Sequence, residues 1–314
     1  MRLIRGLYDL KQITNGCVAT VGNYDGVHLG HQQLLTRLKE KSKELKVPAV
    51  VIIFEPQPVE FFTGDKSLRL TSLREKILLF AQYEIDAVLI LAFNAHFVGM
   101  TAKHFAEKIL AGAMHVRYLV IGDDFSFGHN REGNFALLNQ YAGALGLEVE
   151  SMPAFKIEGV RVSSSFIRIA LLQGTLKVAT RFLGRPYRVT GRVVHGRQLG
   201  RDLGFPTANI HLVRRELPLE GVYVVKVYDS EKSPLFGVAN IGFRPTVSGK
   251  DKSFEVYIFN FNANIYGKRI AIEFCEKIRD EQKFASLEEL KLQIEKDVKT
   301  ASLLLQTPTI LHNI

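Results

Sequence analysis

His28 and His31 stand three residues apart in the run Val18-Ala-Thr-Val-Gly-Asn-Tyr-Asp-Gly-Val-His-Leu-Gly-His31, where an apolar strand passes through a glycine-rich turn into a helical pattern. Two imidazoles at that spacing on a helix start can donate to the same anionic oxygens. This suits a transition state in which negative charge grows on a phosphorus centre. Gly22, Gly26 and Gly30 permit a tight backbone path, and a helix beginning near Gly30 points free N–H groups at the turn. An isolated His-x-x-His pair would be read as metal ligands or surface residues. Here the strand, glycines and helix together favour a nucleotide phosphate.

Two other segments have the chemistry of phosphate sites. In Val162-Ser163-Ser164-Ser165-Phe166-Ile167-Arg168, Ser164 and Ser165 at a helix start, with Arg168 one turn in, would bind a phosphate tail and neutralise a departing pyrophosphate; the plainer alternative is an N-cap. In Gly191-Arg-Val-Val-His-Gly-Arg-Gln-Leu-Gly-Arg201, a strand enters a basic loop. Gly196 and Gly200 could wrap phosphates through backbone N–H groups, with Arg197 or Arg201 adding charge. The Gly-x-x-x-x-Gly-Lys-Ser/Thr pattern is absent. Thr207 and Asn209 follow at alternate positions of an extended stretch, so they point the same way and offer neutral oxygens for Mg²⁺.

The elements that must position these groups divide into two textures. In the first half, strand-like runs at 17–22, 49–54, 87–93, 117–122 and 147–152 alternate with helical patterns at 30–45, 72–82, 101–111 and 133–145. Apolar strands alternating with helices predict an α/β domain with a parallel sheet covered on both faces, whose ligands lie beyond the carboxyl ends of the strands. After Gly184, β-rich runs at 187–195, 221–229, 235–241, 253–259 and 269–275 follow one another with no helix between, which predicts a small antiparallel barrel. A C-terminal helix opens at Ser286 and Glu289 and carries Leu290, Ile294, Val298 and Ala301 on one face. The expected domains are 1–184 and 185–314.

The His28-Leu29-Gly30-His31 run resembles the signature of nucleotidyltransferases that bind ATP and displace pyrophosphate. With Gly22-Asn23-Tyr24-Asp25-Gly26-Val27 ahead of it, the segment is similar to the bacterial FAD synthetases, Rossmann-like in fold. That likeness implies nucleotide contacts for Asn23 and Asp25 and, through Gly122-Asp123-Asp124-Phe125-Ser126-Phe127-Gly128, for Asp124. It also implies a flavin-bordering loop at Phe54, Pro56 and Pro58. The stretch Pro206-Thr207-Ala208-Asn209 resembles riboflavin kinases, as do 237–246, 254–259, 266–268 and 274–284. This second likeness implies Glu255 as general base for the ribityl hydroxyl. Independently, its side chain should lie on the face opposite Phe254 and Val256. Where those kinases commonly have acidic residues before the Tyr-Gly turn, this chain has Asn260, Asn262 and Asn264. The combined resemblance implies a bifunctional enzyme acting on riboflavin, FMN and ATP with Mg²⁺ (or Mn²⁺).

The net charge of +9 is spread over both halves and suits anionic small molecules. Basic and aromatic residues do not interleave along a strand face, so nucleic acid is not expected as a partner. Cys17 and Cys275 make neither a disulfide framework nor a zinc set. They read as buried thiols of a reducing compartment. No apolar run reaches membrane-span length, and the first residues lack a signal-peptide core, so the expectation is a soluble cytoplasmic protein. His96, His104, His115, His129, His195, His211 and His312 are read as surface or structural. Nothing in the sequence sets the oligomeric state.

Overall fold

The computed structural model describes residues 1–7, 15–64, 68–196, 200, 203–212, 217–229, 233–246 and 249–306; Arg197 and Arg201 lie outside the described residues. The chain divides into two compact units, 1–67 with 73–164, and 68–72 with 165–314.

The first unit holds a six-stranded sheet in the order β1-β4-β3-β2-β5-β6: β1 (Arg2–Arg5), β2 (Cys17–Val21), β3 (Ala49–Glu55), β4 (Ala87–Ala92), β5 (Val116–Gly122) and β6 (Glu148–Met152). Every pairing is parallel. The five expected strands are present. β1 is an addition at the edge, too short and too polar to read locally, since only Ile4 of its four residues is buried. Between strands run α1 (Leu29–Leu45), α2 (Pro58–Thr63), α3 (Leu73–Gln82), α4 (Ala95–Val98), α5 (Ala102–His104), which continues as a π-helix over Phe105–Ala113, and α6 (Phe135–Leu145). The helix expected at 101–111 is therefore wound mostly with wider turns, and Asn134 rather than Gly133 caps α6, its Oδ1 accepting from Leu137 N. Two apolar layers, one on each sheet face, make the core. One gathers Val21, Ile52, Leu89 and Leu119, the other Val18, Val51, Leu35, Leu38 and Phe80.

The order of the strands matters for the site. From β2 the chain steps outward through β3 to β4, then returns to the other side of β2 for β5 and β6. Loops leaving β2 and β5 thus diverge at the carboxyl edge, where a parallel sheet opens a ligand crevice. A hairpin, β7 (Lys156–Ile157) and β8 (Val160–Arg161), closes the unit. Its Glu158 and Gly159 have φ of 50° and 81°, as a tight two-residue turn requires.

In the second unit α7 (Ser164–Leu172) and α8 (Leu176–Leu183) precede a closed antiparallel barrel ordered β10-β13-β12-β11-β14-β9. Its strands are β9 (Arg188–Val194), β10 (Thr207–His211), β11 (Gly221–Tyr228), β12 (Leu235–Thr246), β13 (Gly249–Ile258) and β14 (Arg269–Arg279). Val189, Tyr223, Val225, Ala239, Ile241, Phe254, Val256, Ile272 and Phe274 are all buried at alternating strand positions that face the barrel interior. The barrel needs six strands to close; Thr207–His211, read locally only as an extended stretch, supplies the sixth.

The C-terminal α9 (Leu287–Gln306) lays Ala301, with Leu304 and Leu305, on Val222, Val224 and Val238 of the barrel's outer face. Its start is capped: Ser286 Oγ accepts from Glu289 N at 3.2 Å, and the Glu289 carboxylate accepts from Ala285 N at 3.0 Å. Asp297 is buried on the packed face, where the Arg279 guanidinium of β14 donates to it from Nε at 2.9 and 3.1 Å and from an η-nitrogen at 2.8 Å. A carboxylate there is tolerable because its charge is paired and hydrogen-bonded.

Candidate active sites

Within the first unit the turn after β2 is forced into an unusual path. Tyr24 and Val27 have φ of 50° and 41°, and Gly26 has φ of 82°. For a β-branched residue such as Val27 this costs roughly 1–3 kcal/mol. Burial opposes the strain: Val27 and Tyr24 are almost wholly enclosed, and the Tyr24 hydroxyl is 2.6 Å from Thr20 Oγ1. Burial also raises the pKa of that phenol, with the Thr20 hydrogen bond opposing the shift. Three side chains donate to the turn's carbonyls. Lys76 Nζ reaches Asn23 O at 2.8 Å, Ser164 Oγ reaches Asp25 O at 2.8 Å, and Gln32 Nε2 reaches Val27 O at 2.9 Å.

The turn delivers His28 to the N-cap of α1, where its Nδ1 accepts from His31 N at 3.3 Å. An accepting Nδ1 carries no proton, so in the neutral ring the proton sits on Nε2, available to donate. The His31 ring stacks on His28 at 3.6 Å between centroids and leans on Tyr24 at 4.8 Å. Gly30 lies under the pair: a Cβ there would stand 3.4 Å from the His28 ring. Asp25 is buried in the same turn, and Gly22 fastens the strand end by donating from its N–H to Ile52 O at 3.1 Å.

The other expected residues of these segments fall into three groups. Asp123 and Asp124, in the turn after β5, both pair with Arg161 of β8 at 2.8 Å, and Asp123 also accepts from Ala154 N at 3.0 Å. Phe54, next to last in β3, packs against Phe93 and Phe97 at 5.6 and 5.0 Å, and Pro58 opens α2, one residue beyond the Pro56-Gln57 step. Phe61 and Phe62 of α2 close on Phe93 at 5.6 and 5.9 Å, so the loop borders an aromatic shelf whose outer member, Phe62, is 65% exposed. Ser165 and Arg168 belong to the second unit, where Arg168 Nε donates to Leu68 O at 2.7 Å.

On the barrel, β10 and β13 run antiparallel with Asn209 opposite Glu255 and Thr207 opposite Tyr257. Phe254 and Val256 point into the core, so Glu255 faces outward as the alternation required. Thr207 Oγ1 donates to Glu255 Oε2 at 3.0 Å, across 48 residues of sequence. Two described glycines ahead of β10, Gly196 and Gly200, lie against Asn209 and Thr207. A Cβ on Gly196 would collide with the Asn209 carboxamide, and one on Gly200 would stand 3.2 Å from Thr207 Oγ1. Among the described residues no cluster of three or more His, Cys, Asp or Glu could hold a metal. A cation here would rest on neutral oxygens, one carboxylate and the substrate's own phosphates, a set that suits Mg²⁺. Of the three asparagines before the Tyr-Gly turn, Asn264 accepts from Tyr266 N at 3.0 Å and so shapes that turn, while Asn260 takes a φ of 51° just after β13.

Sequence reasoning missed Lys76 and Arg161. The signal for Lys76 was available: with Leu73 and Phe80 it shares one helical face, so a lysine was being sent inward, and it is 0% exposed. Arg161 had no local signal, because its partners are 37 and 38 residues away in the chain.

A histidine-capped helix at the switch point of a parallel sheet, and a closed barrel with Gly196 against Asn209 and Gly200 against Thr207, suit an enzyme of nucleotidyl and phosphoryl transfer. Residues 10–166 match the family model for FAD synthetase, and residues 183–305 match that for riboflavin kinase. Bifunctional riboflavin kinase/FMN adenylyltransferases of Haemophilus influenzae and Escherichia coli K12 are 47% and 46% identical, over 96% of this chain and 98% and 97% of theirs. The chain belongs to that bifunctional family: it phosphorylates riboflavin to FMN and adenylylates FMN to FAD, with ATP as substrate. A solved Streptococcus pneumoniae structure, described as a macrolide-efflux protein, superposes with a TM-score of 0.82 at 31% identity over 96% of this chain and 99% of that one. Efflux is said of that protein; here no helix among the described residues is long and apolar enough to cross a membrane.

Proposed function

We propose that the two reactions run at two separate centres, His28 and His31 serving adenylyl transfer and Glu255 serving the kinase step. The functional division is placed near residue 184, and the enzyme is placed in the cytoplasm. The observation that carries the kinase assignment is the Thr207 hydroxyl held on the Glu255 carboxylate, with Asn209 in register beside it.

In the kinase step, Glu255 takes the proton of the riboflavin 5′-hydroxyl as its oxygen bonds to the γ-phosphorus of ATP. The bond from that phosphorus to the β-phosphate bridging oxygen breaks, and ADP leaves with the electron pair. Thr207 and Asn209 would hold Mg²⁺ or Mn²⁺, which supplies charge neutralisation on the phosphates. Gly196 and Gly200 leave the backbone free to approach those phosphates, with Arg197 or Arg201 adding charge.

In adenylyl transfer, an FMN phosphate oxygen attacks the α-phosphorus of a second ATP and pyrophosphate leaves. His28, through Nε2–H, and His31 donate to the α-phosphate oxygens as charge builds there, aided by the N-terminal N–H groups of α1. Asn23, Asp25, Asp124 and Ser164 line the nucleotide, while Phe54, Pro56 and Pro58 border the flavin. Ser165 and Arg168 are assigned to the same nucleotide chemistry on the resemblance of their motif. Chromatography of products from riboflavin, ATP and Mg²⁺ tests the whole scheme. FMN should accumulate first and FAD second, with both requiring the divalent ion; product formation unaffected by a chelator would remove the metal from it.

A further inference from the structure

The outer face of the barrel carries one continuous row of cross-strand neighbours at the level of Glu255. From β10 to β14 it reads Asn209, Glu255, Asn240, Val222, Arg279. Asn240 is exposed while its neighbours Ala239 and Ile241 are buried, so its carboxamide stands on the same outward face as the Glu255 carboxylate. Directly opposed residues of an antiparallel pair have Cβ atoms about 4.5–5.5 Å apart. Glu255 therefore has a polar neighbour on each flank: Asn209 on the side of the glycine loop, Asn240 on the side of the apolar patch formed by Val222, Val238 and α9. Two positions along β12, Gly242 has no side chain, and the Glu281 carboxylate occupies the space a Cβ would need.

In-line displacement at phosphorus places the entering oxygen and the leaving oxygen on opposite sides. With the phosphate donor held on the Asn209 and Gly196 flank, the hydroxyl that Glu255 deprotonates must arrive over the other flank. We propose that Asn240 is an acceptor-binding residue of the kinase centre: its carboxamide hydrogen-bonds the hydroxyl next to the reacting one on the substrate's polyol chain. A carboxamide both donates and accepts, as a hydroxyl does. The inference rests on the assignment of Glu255 as the kinase base.

The test uses the full-length protein, Mg·ATP, and two acceptors, riboflavin and its 4′-deoxy analogue. Asn240→Ala should lower kcat/KM for riboflavin roughly tenfold, the worth of about one hydrogen bond, and leave KM for ATP unchanged. Wild type should lose a similar factor on the deoxy analogue, whereas Asn240→Ala should no longer distinguish the two acceptors. Equal discrimination by wild type and Asn240→Ala overturns the proposal, as does a change in ATP KM alone. A wild type that makes FAD from FMN but no FMN from riboflavin refutes instead the kinase assignment on which the proposal stands.

Discussion

The His28 turn and the Glu255 row are made of opposite materials. In the first, the backbone is the instrument: a helix N-terminus, a strained turn with positive φ at Tyr24, Gly26 and Val27, and three carbonyls pinned by Lys76, Ser164 and Gln32. In the second the backbone is regular barrel, and the proposed chemistry rests on which side chains the strand register sets side by side. A strained turn needs enclosure, because about 1–3 kcal/mol per unfavourable residue must be offset by burial of groups such as Val27 and Tyr24, each worth about 1.5–3 kcal/mol. A strand row needs no strain. It requires instead that five separate strands meet in one register, which depends on the whole barrel closing.

Changes at the two centres should therefore fail in different ways. Glu255→Gln keeps shape and the hydrogen bond from Thr207 but cannot accept a proton, so riboflavin phosphorylation should fall by about 10² to 10⁴. FAD formation from supplied FMN should persist at parental rate in the same preparation; parallel loss of both activities would refute separate centres. His31→Ala is the mirror, lowering FAD formation from FMN by about 10² to 10³ while FMN production survives. Mixing the two variants should restore conversion of riboflavin to FAD through released FMN, measured by product chromatography. If each variant keeps its own half-reaction and the mixture makes no FAD, FMN does not leave the protein between steps.

Lys76→Met tests the clamp rather than the chemistry. It leaves the Asn23 carbonyl without that donor, a loss of about 1–3 kcal/mol, and should lower kcat of adenylylation roughly tenfold with kinase rates unchanged. Lys76→Arg should recover part of the loss if donation to the turn is what matters. An effect of Lys76→Met on the kinase equal to that on adenylylation would mean general destabilisation. A separate effect, outside both centres, concerns the thiols. Burial pushes Cys17 up to about 12 and Cys275 up to about 11, the latter aided by Glu273. At pH 8 both should alkylate at least ~10²-fold more slowly than a free thiol, because the thiolate is the reactive form. Mass spectrometry before and after urea treatment checks this, and fast labelling of the native protein would contradict it.

Much of the molecule was legible one segment at a time. Alternation of apolar strands with helices gave the parallel sheet, and runs without intervening helices gave the barrel, because burial pattern and period are local properties of the chain. The His28 turn was legible for the same reason: strand, glycines and helix start are contiguous, and the capping bond spans three residues. Glu255 was legible only in part. Its outward direction followed from Phe254 and Val256, yet nothing nearby in the chain could name its partner.

By itself, then, the sequence determined most of the elements, the exposed and buried faces of those elements, and the helix start at His28. Tertiary structure alone decided that Thr207 meets Glu255, that Asn240 stands on its other flank, that Lys76 reaches back to Asn23, and that Arg161 holds Asp123 and Asp124. The physical reason is register. A shift of one residue in strand pairing would turn each of those barrel side chains to the opposite face, and that register is set by closure of six strands around a shared apolar interior rather than by any local preference.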